Sequence, residues 1–347
     1  MSHTTTSHAS RRESGFSLVE VVIASALLAV LVIIVSTLSV SGADSQEYAR
    51  RLNRSTEITQ DLIDQMRLEL VSSVRLFGND AEGNANLGVL DLSGAPTPLT
   101  GSALPTVSAN GSIEMDTVSR AITGNSLFFT RLAWTDRFVC ASTNEYLVDV
   151  YRWVYYYLTP EDSGPQAGSA IGLNLVRIES EPLVDGVAVD RITDLTDQAE
   201  VLEHLANGTA DATGAVRSPV QVVWNRGADP AVVGTFRQID DSDGSMSTTP
   251  SGGRPDPWEV LRRDNDVRGL LSYRHHSVAT VFAPTLQVTK YALEDTSGVG
   301  FPHGFEVQVV GPSSARQVLV HLVIASTNRR GLMASANLQI VIDTRDL

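Results

Sequence analysis

The chain is poor in cysteine. Cys140 stands alone among 347 residues, which excludes an intramolecular disulfide and any multi-cysteine metal site. It sits in Arg137-Phe138-Val139-Cys140-Ala141, a setting that suits a buried, small apolar residue better than a nucleophile. Lysine is as scarce, with Lys290 the single example among 26 basic residues. The 40 acidic side chains outweigh that set and leave a net charge of −14. Nucleic-acid binding, which needs clustered Lys and Arg against phosphate, is therefore not expected. No His-Glu-x-x-His, Gly-x-Ser-x-Gly or P-loop pattern occurs, so the residues give no basis for an enzyme. Proline is missing between Phe16 and Phe77, so nothing there removes a backbone donor from a helix.

What the sequence does have is one long apolar run. Residues 21–40 are uncharged. At about 1.5 Å per residue they are long enough to cross a ~30 Å hydrocarbon core. The run follows Arg11-Arg12-Glu13-Ser14-Gly15-Phe16-Ser17-Leu18-Val19-Glu20. Glu20 is the odd residue there, because a carboxylate costs roughly 2.5–3.5 kcal/mol at the centre of a lipid-facing helix and calls for a partner. Arg11 and Arg12 precede the span and Gly42-Ala43-Asp44 follows it, which places the leader in the cytoplasm and exports the body. An ordinary secretory signal fits poorly. The run exceeds a typical h-region, and no small-x-small cleavage site follows it.

This pattern resembles the processing and assembly signal of the type IV pilin superfamily: pilins, minor pilins and the pseudopilins of type II secretion. Gly15, Phe16, Ser17, Leu18, Val19 and Glu20, followed at once by the apolar helix, carry the resemblance. It implies cleavage by a prepilin peptidase between Gly15 and Phe16 and N-methylation of Phe16. It also implies that Glu20 serves assembly by pairing with a positive N-terminal amine among packed helices. An unpaired buried charge is costly and a paired one tolerable, so such a pair sets register. The partners implied are other pilins or pseudopilins through the N-terminal helix, the prepilin peptidase, the inner-membrane assembly machinery and membrane lipid. The location implied is the bacterial inner membrane, single-pass, with the head in the periplasm or on a surface filament. The alternative is an uncleaved, membrane-anchored exported binding module or adhesin. Many members of the superfamily carry a proline in this helix; here helix-breaking is left to Gly42 and the serines around it.

From residue 45 the sequence turns amphipathic. Tyr48, Leu52, Thr59, Leu62, Met66, Leu70, Val74 and Phe77 recur at helical spacings, with Arg50, Arg51, Arg54, Glu57, Asp61, Asp64 and Arg67 on other faces. Gly78-Asn79 is the expected stop. The chain thus divides into a leader (1–15), a membrane helix (16–41), an amphipathic stem helix (42–78) and a head (79–347). Residues 79–125 read as loop with edge strands near 87–92 and 113–118. Strands are expected at 126–133, 146–158 and 171–179, the last two a hairpin, and a short one at 221–224. A helix capped by Asp194 or Thr196 and stopped at Asn207-Gly208 is expected over 193–206. Residues 225–266 form a polar, Gly/Pro/Asp-rich insertion. Closing strands are expected at 279–293, 304–310, 317–326 and 337–343. The fold class is α+β: a long membrane-spanning N-terminal helix packed on a β-rich head. The tyrosine-rich strand, the turn after it, the Leu175-Val176-Arg177 strand and Glu181-Pro182-Leu183-Val184-Asp185-Gly186-Val187 are similar to large W-type minor pilins and J-type minor pseudopilins.

Three further groups have chemical potential. Asp240, Asp241 and Asp243, before Gly244, offer oxygens that suit Ca²⁺, although a solvated acidic turn explains them as well and the EF-hand pattern is incomplete. His275-His276 would point to opposite faces of a strand and so would not converge on one ion. Trp153, Tyr155, Tyr156 and Tyr157 alternate, so any that face outward could form a subunit contact.

Overall fold

The computed structural model describes residues 17–88, 90, 92, 95–113, 122–160, 172–226, 236–247, 255–260, 276–279, 304–327 and 333–345. It divides into two compact units, Met1–Arg51 and Leu52–Leu347. One helix, α1 (Leu18–Val71, 54 residues), contributes to both. Within the first unit the helix is continuous through Gly42, and no break occurs where the serines cluster. Its hydroxyls explain why. Ser25 Oγ donates to the Val21 carbonyl (2.8 Å), Thr37 Oγ1 to Ile33 (2.7 Å) and Ser45 Oγ to Ser41 (2.9 Å). Each thus bonds back into the helix instead of competing with it.

In the second unit α1 buries Ile58, Leu62, Ile63, Met66 and Leu70 against a sheet. Ile58, Leu62, Met66 and Leu70 step by four and Ile63 lies three before Met66, so all five share one stripe. The helix closes at Val71, and the residues expected as its last turns form β1 (Ser73–Phe77) instead. The i, i+3 spacing of Val74 and Phe77 suggested a helix, but the backbone pairs elsewhere. β1 runs antiparallel to β3 (Leu127–Val139), with Phe77 opposite Phe128. Ser72 Oγ turns back onto the Glu69 carbonyl, and the Ser72 carbonyl takes the Leu132 N–H. Thr344 Oγ1 closes the helix end by donating to the Leu70 carbonyl (2.9 Å).

The fourteen described strands form one branched sheet. β4 (Glu145–Pro160) is its spine. It pairs with β3 along most of its length, with β5 (Gly172–Ser180) over its C-terminal half and with β6 (Leu183–Asp185) further back. β11 (His276–Ala279) links β5 to the closing strands β12 (Phe305–Val310), β13 (Arg316–Thr327) and β14 (Met333–Thr344). β13 and β14 form an antiparallel hairpin, and β12 pairs antiparallel with β13. Most of 279–293 and all of 114–121 lie outside the described residues. β2 (Val107–Ser108) runs parallel to β12. From the polar segment 225–266 come β8 (Phe236–Ile239), β9 (Met246–Ser247) and β10 (Pro255–Val260), so its described parts supply strands beside β7 (Val222–Trp224) and β5.

Alternation along β4 puts Trp153, Tyr155 and Tyr157 on one face and Tyr156 on the other. All four are buried, none more than 3% exposed, so none is available for a subunit contact. Trp153 meets Trp224 edge-on at 5.5 Å, and Tyr155 stacks on Tyr157 at 4.8 Å. Such pairs add specificity beyond the area they bury. Of the strand expected near 87–92, residues 87 and 88 instead end helix α2 (Ala81–Gly88), 90 and 92 are in no strand, and 89 and 91 lie outside the described residues. Asp80 caps α2 by accepting the Gly83 N–H at 2.7 Å, and Arg75 grips Glu82 at 2.6 Å. Gly83 is required there, because a Cβ would lie 2.0 Å from the Gly78 carbonyl oxygen. A one-turn helix, α3 (Gly186–Asp190), precedes α4 (Leu195–Asn207), which fits its expectation closely. Asp194 is the N-cap, and Gly208 ends the helix in the left-handed region at φ +60°.

Candidate functional site

The chemistry-bearing residues fall at three places: the start of α1, the far end of α1 and the neighbourhood of α4. At the start, Ser17 is the N-cap. Its backbone N–H donates to Glu20 Oε2 (2.9 Å) and its Oγ accepts the Glu20 N–H (3.2 Å). This is a reciprocal capping box, and Ser17-Leu18-Val19-Glu20 carries its Ser-x-x-Glu signature in plain sequence. The reading of Glu20 as an assembly residue alone missed it. The box aims the carboxylate back along the chain toward residue 17, at the positive end of the helix dipole. Gly15 and Phe16 lie outside the described residues. Beyond Glu20 the helix shows apolar side chains on every side, among them Leu27, Leu31 and Ile33, each more than half exposed. By length and composition this is the one described helix able to cross a membrane.

Toward the end of α1, Glu69 is the one carboxylate on the buried stripe between 52 and 71. Arg177 Nε donates to its Oε1 (2.9 Å), and the Tyr156 hydroxyl donates to its Oε2 (2.6 Å). Arg177 also holds Glu179 at 2.8 Å, and Arg131 pairs with the other oxygen of Glu179. Burial alone would weaken the Arg177 charge, but the hydrogen bonds and charges of Glu69 and Glu179 reverse that and raise its pKa. Burial, then the Glu69 carboxylate, pushes the Tyr156 phenol well above its ordinary value. Arg152 Nε also lies 3.9 Å from Glu179 Oε1, so the network ties α1 to β4 and β5. Its role is to fix the stem on the sheet.

The acidic run after β8 is a hairpin turn. Asp240 Oδ1 accepts the Ser242 N–H (2.8 Å) and Oγ, Asp243 Oδ1 accepts the Ser245 N–H (2.9 Å), and Asn207 Nδ2 reaches the Asp241 carbonyl (2.7 Å). The Ser242 hydrogen bonds lower the Asp240 pKa. The turn borders a shallow cleft of about 310 Å³ shared with Gln221, Gln238 and Met246. Asp240, Asp241 and Asp243 do not converge: among the described residues, the one group of metal-ligating side chains drawn together is Cys140, Asp197 and Glu200. His276 is buried on β11; His275 lies outside the described residues. Cys140 is buried as expected, and its thiol is pushed up to about 11 by burial and then by Glu200, Asp197 and Asp194. It is no free nucleophile.

Residues 10–36 match the family model of the prokaryotic N-terminal methylation motif. No match was found among curated proteins or among solved structures. The matched segment holds Gly15, Phe16, the Ser17–Glu20 capping box and the first half of the apolar run. The chain thus carries the type IV pilin signal on a helix of membrane-spanning length, ahead of a β-rich head.

Proposed function

We propose that this protein is a minor pilin or pseudopilin, processed by a prepilin peptidase and assembled into a type IV pilus or a type II secretion pseudopilus. The carrying observation is the methylation motif at residues 10–36 joined to a helix whose apolar side chains are exposed all round. An all-round apolar helix has no stable place in water. Lipid stores it before assembly, and neighbouring subunit helices replace the lipid in a fibre. Cleavage between Gly15 and Phe16 creates a new amine one residue before Ser17, whose N–H already donates to the Glu20 carboxylate. A negative group directed to that end of the helix favours a cation there, from its own chain or from the next subunit. Assembly, not turnover, is then the activity, with the leader cytoplasmic and the head exported.

The test is the N-terminal mass of the protein purified from its own membranes, with and without the prepilin peptidase. The expected result is a chain beginning at N-methylated Phe16 only where the peptidase is present. An intact Met1 leader in both strains would overturn the reading in favour of an uncleaved anchored binding protein. Glu20→Gln should leave processing intact and lower incorporation into filaments, measured by shearing and immunoblot.

A further inference from the structure

Cys140 directly follows β3, and Asp197 and Glu200 lie three residues apart near the start of α4, a spacing that sets both on one helix face. One ligand atom from each of the three lies within 4.8 Å of the others. Cys140 is 4% exposed and Asp197 1%, so the sulfur and one carboxylate are withdrawn from bulk water.

Asp197 is oriented from one side only. Ser142 Oγ (2.8 Å), Asn144 Nδ2 (2.7 Å) and the Tyr146 hydroxyl (2.9 Å) all donate to Oδ2. No donor among the described residues reaches Oδ1. A carboxylate has room for about four donors, so Oδ1 keeps capacity for a cation. The neighbouring arginine on β3, Arg137, is committed to Glu145. Glu200 is itself anchored, accepting the Ala141 N–H at 3.0 and 3.2 Å. The group therefore has outer partners that fix its ligands in place, as at a metal centre, and an open oxygen.

We propose that Cys140, Asp197 and Glu200 bind one divalent transition-metal ion of borderline softness, of the Zn²⁺ class, with water as fourth ligand. The sulfur disfavours the hard ions Ca²⁺ and Mg²⁺, whereas one thiolate with carboxylate oxygens suits a tetrahedral site. With Zn–S near 2.3 Å and Zn–O near 2.1 Å, the ligand atoms of such a site stand about 3.5 Å apart, a closure of at most about 1.3 Å from the 4.8 Å seen here. On binding, the thiol proton leaves to solvent, and the dication offsets two of the three ligand charges. The site pins the β3–β4 turn to α4 and is independent of how the N-terminus is processed.

The test uses the full-length chain in detergent with Co²⁺ as the probe. The expected result is one Co²⁺ per chain, a sulfur-to-cobalt charge-transfer band in the near ultraviolet, and displacement by Zn²⁺. Cys140→Ser should remove the band. Glu200→Gln, at a half-buried position, should keep the fold and weaken Co²⁺ binding by at least about tenfold. The proposal is overturned if wild type gives no band while Cys140 titrates as a reduced thiol in denaturant, or if the band survives in Cys140→Ser. Should Cys140→Ser fail to fold, the Glu200→Gln affinity decides, and an unchanged value overturns the site.

Discussion

Residues 18–40 and 52–71 belong to the same helix, yet their apolar side chains meet opposite fates. In the first stretch Leu27 is 65% exposed and Leu31 58%; in the second Leu62, Met66 and Leu70 are at 0%. Helix propensity does not separate them. The distribution of apolar residues around the axis does. The second stretch concentrates most of them on a stripe, with only Leu68 and Val71 left exposed, and the sheet of the same chain covers that stripe. The first is apolar on all sides, so a single sheet face could cover only part of it, and on the reading proposed above lipid and other subunits take that place. Even its polar residues comply: Ser25 and Thr37 return their protons to the helix.

The sharpest way to probe the covered stretch is through its one buried charge cluster. Arg177→Met leaves Glu69 without its cation in a buried site, and the expected loss is about 3–5 kcal/mol. Urea unfolding of the full chain in detergent measures it. The double variant Glu69→Gln with Arg177→Met should recover most of that loss, because no uncompensated charge stays behind and Glu179 keeps Arg131. If the double variant is as unstable as the single one, the network stabilises through packing and not through charge.

The comparison itself breaks or holds on two leucines. Leu62→Ala should cost about 2–5 kcal/mol of head stability. Leu28→Ala, at a position 63% exposed, should leave the same unfolding curve within about 0.5 kcal/mol. Equal losses would mean that the two stretches do not divide as described.

Acid should loosen the network that holds the covered stretch. Burial pushes Glu179 up, but the Arg177 hydrogen bond and charge, followed by Arg131, outweigh it and leave its pKa lowered. A depressed folded pKa contributes stability above the unfolded carboxylate value of about 4.3, and that contribution is lost as pH falls below it toward the folded value. Urea midpoints should therefore fall as pH drops below about 4.3, and Arg177→Met should make that fall shallower.

Much of this division was legible in the residues. The uncharged run 21–40, the Gly15–Glu20 signal and the Asp194 and Gly208 caps of α4 are local features, encoded within a few positions. What was not legible depends on distant strands. Val74 and Phe77 keep a helical spacing, and only pairing with β3 turns them into a strand. Trp153 and the tyrosines alternate as a half-exposed strand would, but Phe77, Trp224 and Phe236 cover one face and α1 reaches the other. The Cys140 group unites residues 57 and 60 positions apart, so spacing along the chain gave no sign of it. Conversely, Asp240, Asp241 and Asp243 are adjacent in sequence, and the turn they build uses their oxygens on its own backbone.

The smallest expected effect compares helix caps on the two sides of the same divide. Asp194 Oδ1 accepts the Thr196 N–H (2.8 Å) and the Asp197 N–H (3.3 Å), starting a helix whose Val201, Leu202 and Leu205 are buried in the head. Asp194→Ala should therefore cost about 1 kcal/mol in urea unfolding, and Asp194→Asn should restore most of it, since the amide oxygen still caps. Ser17→Ala removes a cap of the same kind from α1, but the turn it starts buries nothing within the chain. Its loss should appear as fraying of the first turn in amide exchange and leave head unfolding unchanged. A drop in head stability on Ser17→Ala would couple the exposed stretch to the covered one, and the two could no longer be treated as separate regions joined by a common backbone.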